Sequence, residues 1–120
     1  SLLRAIRDWQ REGKTLYGYG ASTKGNVVLQ YCGLTAADIP MIAEVNEDKY
    51  GCFTPGTQIP ISSEAEVRSR KPDAMLVLPW HFRGSILERE QAYLQDGGCL
   101  LFPLPGVDFV TAAHPARRAA

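Results

Sequence analysis

No apolar run in these 120 residues approaches the roughly 20 needed to cross a bilayer. The opening residues, Ser1-Leu2-Leu3-Arg4, also lack the layout of a signal or transit peptide, so no membrane association is expected and a cytoplasmic setting is. Neither sign of charge is in excess: thirteen basic residues face thirteen acidic ones. No global field therefore recruits nucleic acid or an anionic membrane surface, and any anion site must be local. Cysteine is sparse. Cys32, Cys52 and Cys99 lie far apart and form no Cys-x-x-Cys pair, which argues against both a disulfide framework and a zinc site and predicts three ordinary buried or half-buried thiols. Internal repeats and low-complexity segments are missing too, although residues 111–120 lose apolar periodicity and read as a frayed tail.

What remains is a chain with 45% hydrophobic residues and the length of one domain, here residues 1–110. Leu2, Ala5, Ile6 and Trp9 recur at helical spacing and predict an amphipathic helix ending near Gly13, its stripe packed on a sheet. Thr15 to Gly20 is a short β-prone run breaking into glycine, and Val27, Val28 and Tyr31 then mark a helix closed by Gly33. Met41 to Val45 predicts a second strand, followed by an irregular polar loop from Asn46 to Thr57. Ile59-Pro60-Ile61 can give only an edge strand, and Ser63-Glu64-Ala65-Glu66 has the form of a capping box.

Ala74 to Leu78 is continuously apolar, as a central strand covered on both faces requires. Phe82, Ile86, Leu87, Tyr93 and Leu94 form a helical stripe before Cys99 to Phe102, the last clear strand. Strands alternating with helices predict a three-layer, doubly wound α/β sandwich, Rossmann-like, with a mainly parallel sheet of about five strands.

Chemistry concentrates where strands run out. Gly18-Tyr19-Gly20-Ala21-Ser22-Thr23-Lys24-Gly25-Asn26 spans the turn from the first strand into the next helix, where open α/β sheets bind phosphate on backbone N–H groups and the helix dipole. The match to a dinucleotide fingerprint is partial, because Thr23 stands at the third glycine position; Gly25 after Lys24 excludes a nucleoside-triphosphatase loop. The plainer alternative is a packing turn with Ser22 or Thr23 as helix cap and Lys24 solvated. Glu44, about two dozen residues after Gly20, is either a ribose ligand or a solvated strand end, and Asn46 and Lys49 could serve a sugar or phosphate. Trp80 and His81 follow the central strand directly; Trp80 could stack a base or sugar and His81 exchange a proton, or both could simply pack.

Three stretches in order, Gly18 to Asn26, Val45 to Ile61 and Leu78-Pro79-Trp80-His81, resemble the carboxyl-terminal domain of a C-methyltransferase family whose members include the sugar C-methyltransferases of deoxysugar biosynthesis. The resemblance covers about Gly18 to Val107. It implies a parent protein with an amino-terminal zinc region and a middle domain that binds S-adenosylmethionine, neither represented in this chain, and a nucleotide-sugar acceptor between the middle and carboxyl-terminal domains. It implies further that Gly18, Gly20, Lys24, Gly25 and Asn26 face the acceptor opposite a loop holding Asn46, Lys49, Pro55 and Gly56. The domain alone would bind no cofactor and transfer no methyl group. Two other readings stay open: an NAD- or NADP-binding redox domain using the same turn, and a docking module packing through the Trp80 edge without a ligand.

Overall fold

The computed structural model describes residues 1–115. Six strands form one sheet in the order β3-β2-β1-β4-β5-β6: β1 Leu16–Tyr19, β2 Ile42–Glu44, β3 Ile61–Ser63, β4 Ala74–Val77, β5 Leu100–Phe102 and β6 Asp108–Val110. The first five run parallel and β6 returns antiparallel on β5. The expected doubly wound α/β architecture is therefore present, with one strand more than expected. β6 escapes the sequence reading because three residues behind the Pro103-Leu104-Pro105 turn carry too little period to register.

Alternation along each strand splits the core in two. Leu76, Leu78 and Leu101 join Ile6 of α1 (Leu2–Arg11) and Leu29 of α2 (Thr23–Cys32) on one face. Met75, Val77 and Leu100 join Val67 of α3 (Glu64–Ser69), Ile86 of α4 (Arg83–Arg89) and Leu94 of α5 (Gln91–Gln95) on the other. β4 is a central strand, as its apolar run predicts, and β3 is one edge of the sheet, beginning at Ile61 rather than at Ile59. Helix starts follow their caps: Ser22 accepts from the Gly25 amide and Ser63 from the Glu66 amide. α1 is anchored by Trp9, whose indole N–H donates to the Thr15 carbonyl at 2.9 Å while its ring stacks on Phe109.

Three expectations change. Val27 and Tyr31 mark α2 as a helix but point away from the sheet, while Gly25 and Leu29 face it. The stripe from Phe82 to Leu94 is two helices rather than one, breaking at Glu90, and Phe82 is exposed on a 3₁₀ turn at Trp80–Phe82. Cys52 is exposed, whereas Cys32 is half-buried and Cys99 buried. Of the segment read as a frayed tail, Thr111 to Pro115 begins with a turn in which the His114 amide donates to the Thr111 hydroxyl; residues 116–120 lie outside the described part. Among the described residues no helix is long and apolar enough to cross a membrane.

The approach of α2 to β4 leaves no room for a side chain at Gly25, where a Cβ would stand 2.3 Å from Leu78 Cβ. Gly25→Ala is expected to destabilise the domain by about 3 kcal/mol, as overpacking against backbone does. Gly84→Ala, in a helix with open space around it, should be neutral or stabilising by up to about 1 kcal/mol. Denaturant midpoints of the two variants, compared at equal m-value, check both.

Candidate functional site

β1 connects toward one edge of the sheet and β4 toward the other, so the loops leaving their carboxyl ends diverge and open a crevice. It holds about 260 Å³ and is walled by Gly20, Ala21, Glu44, Pro79 and, opposite, Phe82 and Arg89. Gly20 turns the chain into it at φ +74°, with Pro79 so near that a Cβ would come within 3.0 Å. The Thr23 and Lys24 amides then head α2. First-turn N–H groups have no carbonyl within their own helix, and Ser22 caps only that of Gly25. Lys24 is exposed, its ammonium 5.8 Å from the centre of the Trp80 ring.

Glu44 is not a solvated strand end. It is 7% exposed, and its carboxylate is spent on the backbone: Oε1 accepts from the Ala21 amide at 2.9 Å, and Oε2 from the Val45 and Asn46 amides at 2.9 and 2.8 Å. Lys49 completes this clamp, donating from Nζ to the Ala21 carbonyl at 3.0 Å and standing 3.9 Å from Glu44. The acid and the lysine thus hold the glycine turn in shape.

The structure divides the remaining sequence candidates. Gly18 and Gly25 are buried packing positions, Gly18 against Ile42 and Gly25 against Leu78. Asn26 donates from Nδ2 to the Pro55 carbonyl and accepts the Thr57 hydroxyl at Oδ1, both at 3.1 Å; Gly56, at φ +75°, lies against Gln30. These residues sew the long loop to the flank of α2 instead of lining the crevice. Asn46 caps a 3₁₀ turn at Glu47–Lys49 through the Asp48 amide. Trp80 is half-buried, with its indole N–H enclosed and without a partner among the described residues. Exposed His81 stands edge-on to Trp80 and 4.2 Å from the Phe82 ring.

The opposite wall carries a polar network that the sequence reading misses. The Tyr19 hydroxyl donates to Glu90 Oε2 at 2.8 Å and accepts from Arg89 Nη1 at 2.9 Å. Glu90, 4% exposed, accepts from Arg68 at 2.7 Å, and Arg89 reaches Glu64 at 2.7 Å. Burial, then the hydrogen bond to Glu90, pushes the Tyr19 phenol up to about 12. A signal existed: Glu90 lies four residues after Ile86 and four before Leu94, in the buried phase of their stripe, where an acid needs a partner. Among the described residues no group of three or more His, Cys, Asp or Glu side chains could hold a metal.

Residues 1–105 match the family model described as the C-methyltransferase C-terminal domain. The chain belongs to that family. It is 35% identical over 107 residues to the C-methyltransferase NovU of Streptomyces niveus, an alignment that covers 89% of this chain and 26% of NovU. The domain thus spans about a quarter of that relative's length, and the matched segment contains the whole crevice while stopping before β6.

The Tyr19 phenol gives the domain an alkaline signature. An unfolded tyrosine ionises near 10.0 whereas the folded one keeps its proton to about 12. The unfolded state then binds fewer protons in that window, so this contribution to stability is full below it and is lost as pH rises through it. Unfolding midpoints measured across the window should fall less steeply for Tyr19→Phe than for the unaltered domain; equal slopes would remove Tyr19 as the source.

Proposed function

We propose that the domain forms the acceptor side of a methyl-transfer site, holding a phosphorylated, nucleotide-sugar-like acceptor at the crevice between β1 and β4. The observation that carries this reading is the corner where α2 begins. Two amides without intrahelical partners, the Lys24 ammonium and the face of Trp80 converge there beside the crevice. A helix N-terminus with a neighbouring cation suits a phosphate group, and an indole face suits a base or sugar ring. Pro79 and Gly20 give the floor, and the clamp of Glu44 and Lys49 keeps the turn rigid before the ligand arrives.

The redox alternative fares worse at one point. A dinucleotide domain needs the acid at the end of its second strand free to accept from a ribose, and here Glu44 already accepts from three backbone amides. The same occupancy makes the crevice a poor fit for the ribose of S-adenosylmethionine, and no described cluster fits zinc. Both groups belong, on this reading, to the rest of the protein, which would also supply the base that removes a proton from the acceptor. The domain by itself would bind and orient.

The test is titration with a nucleoside-diphosphate sugar, NAD, NADP and S-adenosylmethionine side by side, following the amides of residues 18–26. Selective response to the nucleotide sugar is expected; preference for NAD or NADP would replace the reading. Lys24→Ala should weaken nucleotide-sugar binding on the order of tenfold, as loss of one charge-assisted contact does, and flatten its salt dependence. Because Lys24 is exposed, the unfolding midpoint should stay unchanged. Unaltered affinity would take Lys24 out of the site.

A further inference from the structure

Away from the crevice wall, a second depression runs between α1, the outer face of α2 and the loop joining β5 to β6. It holds about 560 Å³, and its lining from Ser1 to Val107 includes no charged side chain. Val27 is 60% and Tyr31 90% exposed, and Leu3, Leu104 and Val107 are exposed beside them. Apolar side chains gathered around one groove are a surface suited to contact with other polypeptide. Its position in sequence is informative as well. Val27 and Tyr31 follow Lys24 by three and seven residues, so the apolar stripe runs down α2 from the same end that opens the crevice.

We propose that this groove is the seat of the polypeptide that precedes the domain in its parent chain. Two observations choose that occupant. As a carboxyl-terminal domain, this unit is preceded by other chain, and the relative it matches has about three quarters of its length outside the matched part. Ser1 itself lines the groove and is fixed there as the cap of α1, accepting from the Arg4 amide at 3.3 Å, so preceding chain enters at the groove wall. A segment attached by a short linker meets the groove at an effective concentration of roughly millimolar. Seating it on α2 sets the neighbouring part of the protein beside the Lys24 corner. The apolar surface and the chain path are the same whether or not the crevice takes a nucleotide sugar.

The experiment uses the full-length protein. Hydroxyl-radical footprinting of native and urea-denatured samples should show Val27, Tyr31 and Leu104 protected on the order of tenfold in the native state at every protein concentration. Native reactivity close to the denatured level at these residues would overturn the proposal, and so would protection that disappears on dilution together with a dimer, which would assign the groove to a second copy. In the same protein, Val27→Asp combined with Tyr31→Asp should raise protease cleavage just before the domain on the order of tenfold. Both side chains are exposed in the domain itself, so its own core should tolerate the change. Cleavage equal to that of the unaltered protein would sink the idea even where footprinting shows cover.

Discussion

The seating of α2 on the end of β4 is the constraint on which the crevice depends. Gly25 lets the helix come so near Leu78 that even a methyl group would collide. That approach sets where the first-turn amides stand relative to the strand ends, and hence whether they can share a ligand with Trp80. In a dinucleotide fingerprint the third glycine serves this close helix–strand contact. Here the contact survives although the glycine has moved two positions onward, past Thr23 and Lys24. The displaced glycine changes what heads the helix: a hydroxyl and an ammonium side chain stand where the fingerprint has its glycine.

The turn is then locked from the β2 side. A buried carboxylate is tolerable only when its oxygens are well supplied with donors, and Glu44 finds three amides with Lys49 adjacent. The opposite wall is built on the same principle with different groups. Glu90, more deeply buried still, is satisfied by the Tyr19 hydroxyl and Arg68, while Arg89 bridges Tyr19 to Glu64. Glu44 lines the crevice directly, whereas Glu90 supports it from behind through Tyr19. In both, the donors come from the fold itself, from backbone amides for Glu44 and from side chains of distant segments for Glu90.

Strands and caps were legible because each is written locally. Ala74 to Leu78 can only be a strand covered on both faces, and Ser63 with Glu66 announces a helix start. The family was legible through three ordered motifs. The contacts of individual side chains were not, because they depend on which partner each one meets. Asn26 and Glu44 have the chemistry of ligands, and nothing in the sequence tells that a Pro55 carbonyl or an Ala21 amide will already be there. Glu90 is hard to read for the opposite reason: a lone acid in an apolar stripe looks like an interruption until Tyr19 and Arg68 arrive from distant segments.

The helix α2 shows how a pattern can be read correctly as a helix and wrongly as to its face. Val27 and Tyr31 lie close to the opposite side of the helix from Leu29, since each is two residues away and successive residues turn by about 100°. An amphipathic surface helix needs only one apolar stripe. α2 carries a second, and no charged residue of its own breaks it between Lys24 and Gly33. A helix apolar on two sides is suited to burial on two sides. The sheet covers one, so the composition of α2 itself calls for a neighbour over the other.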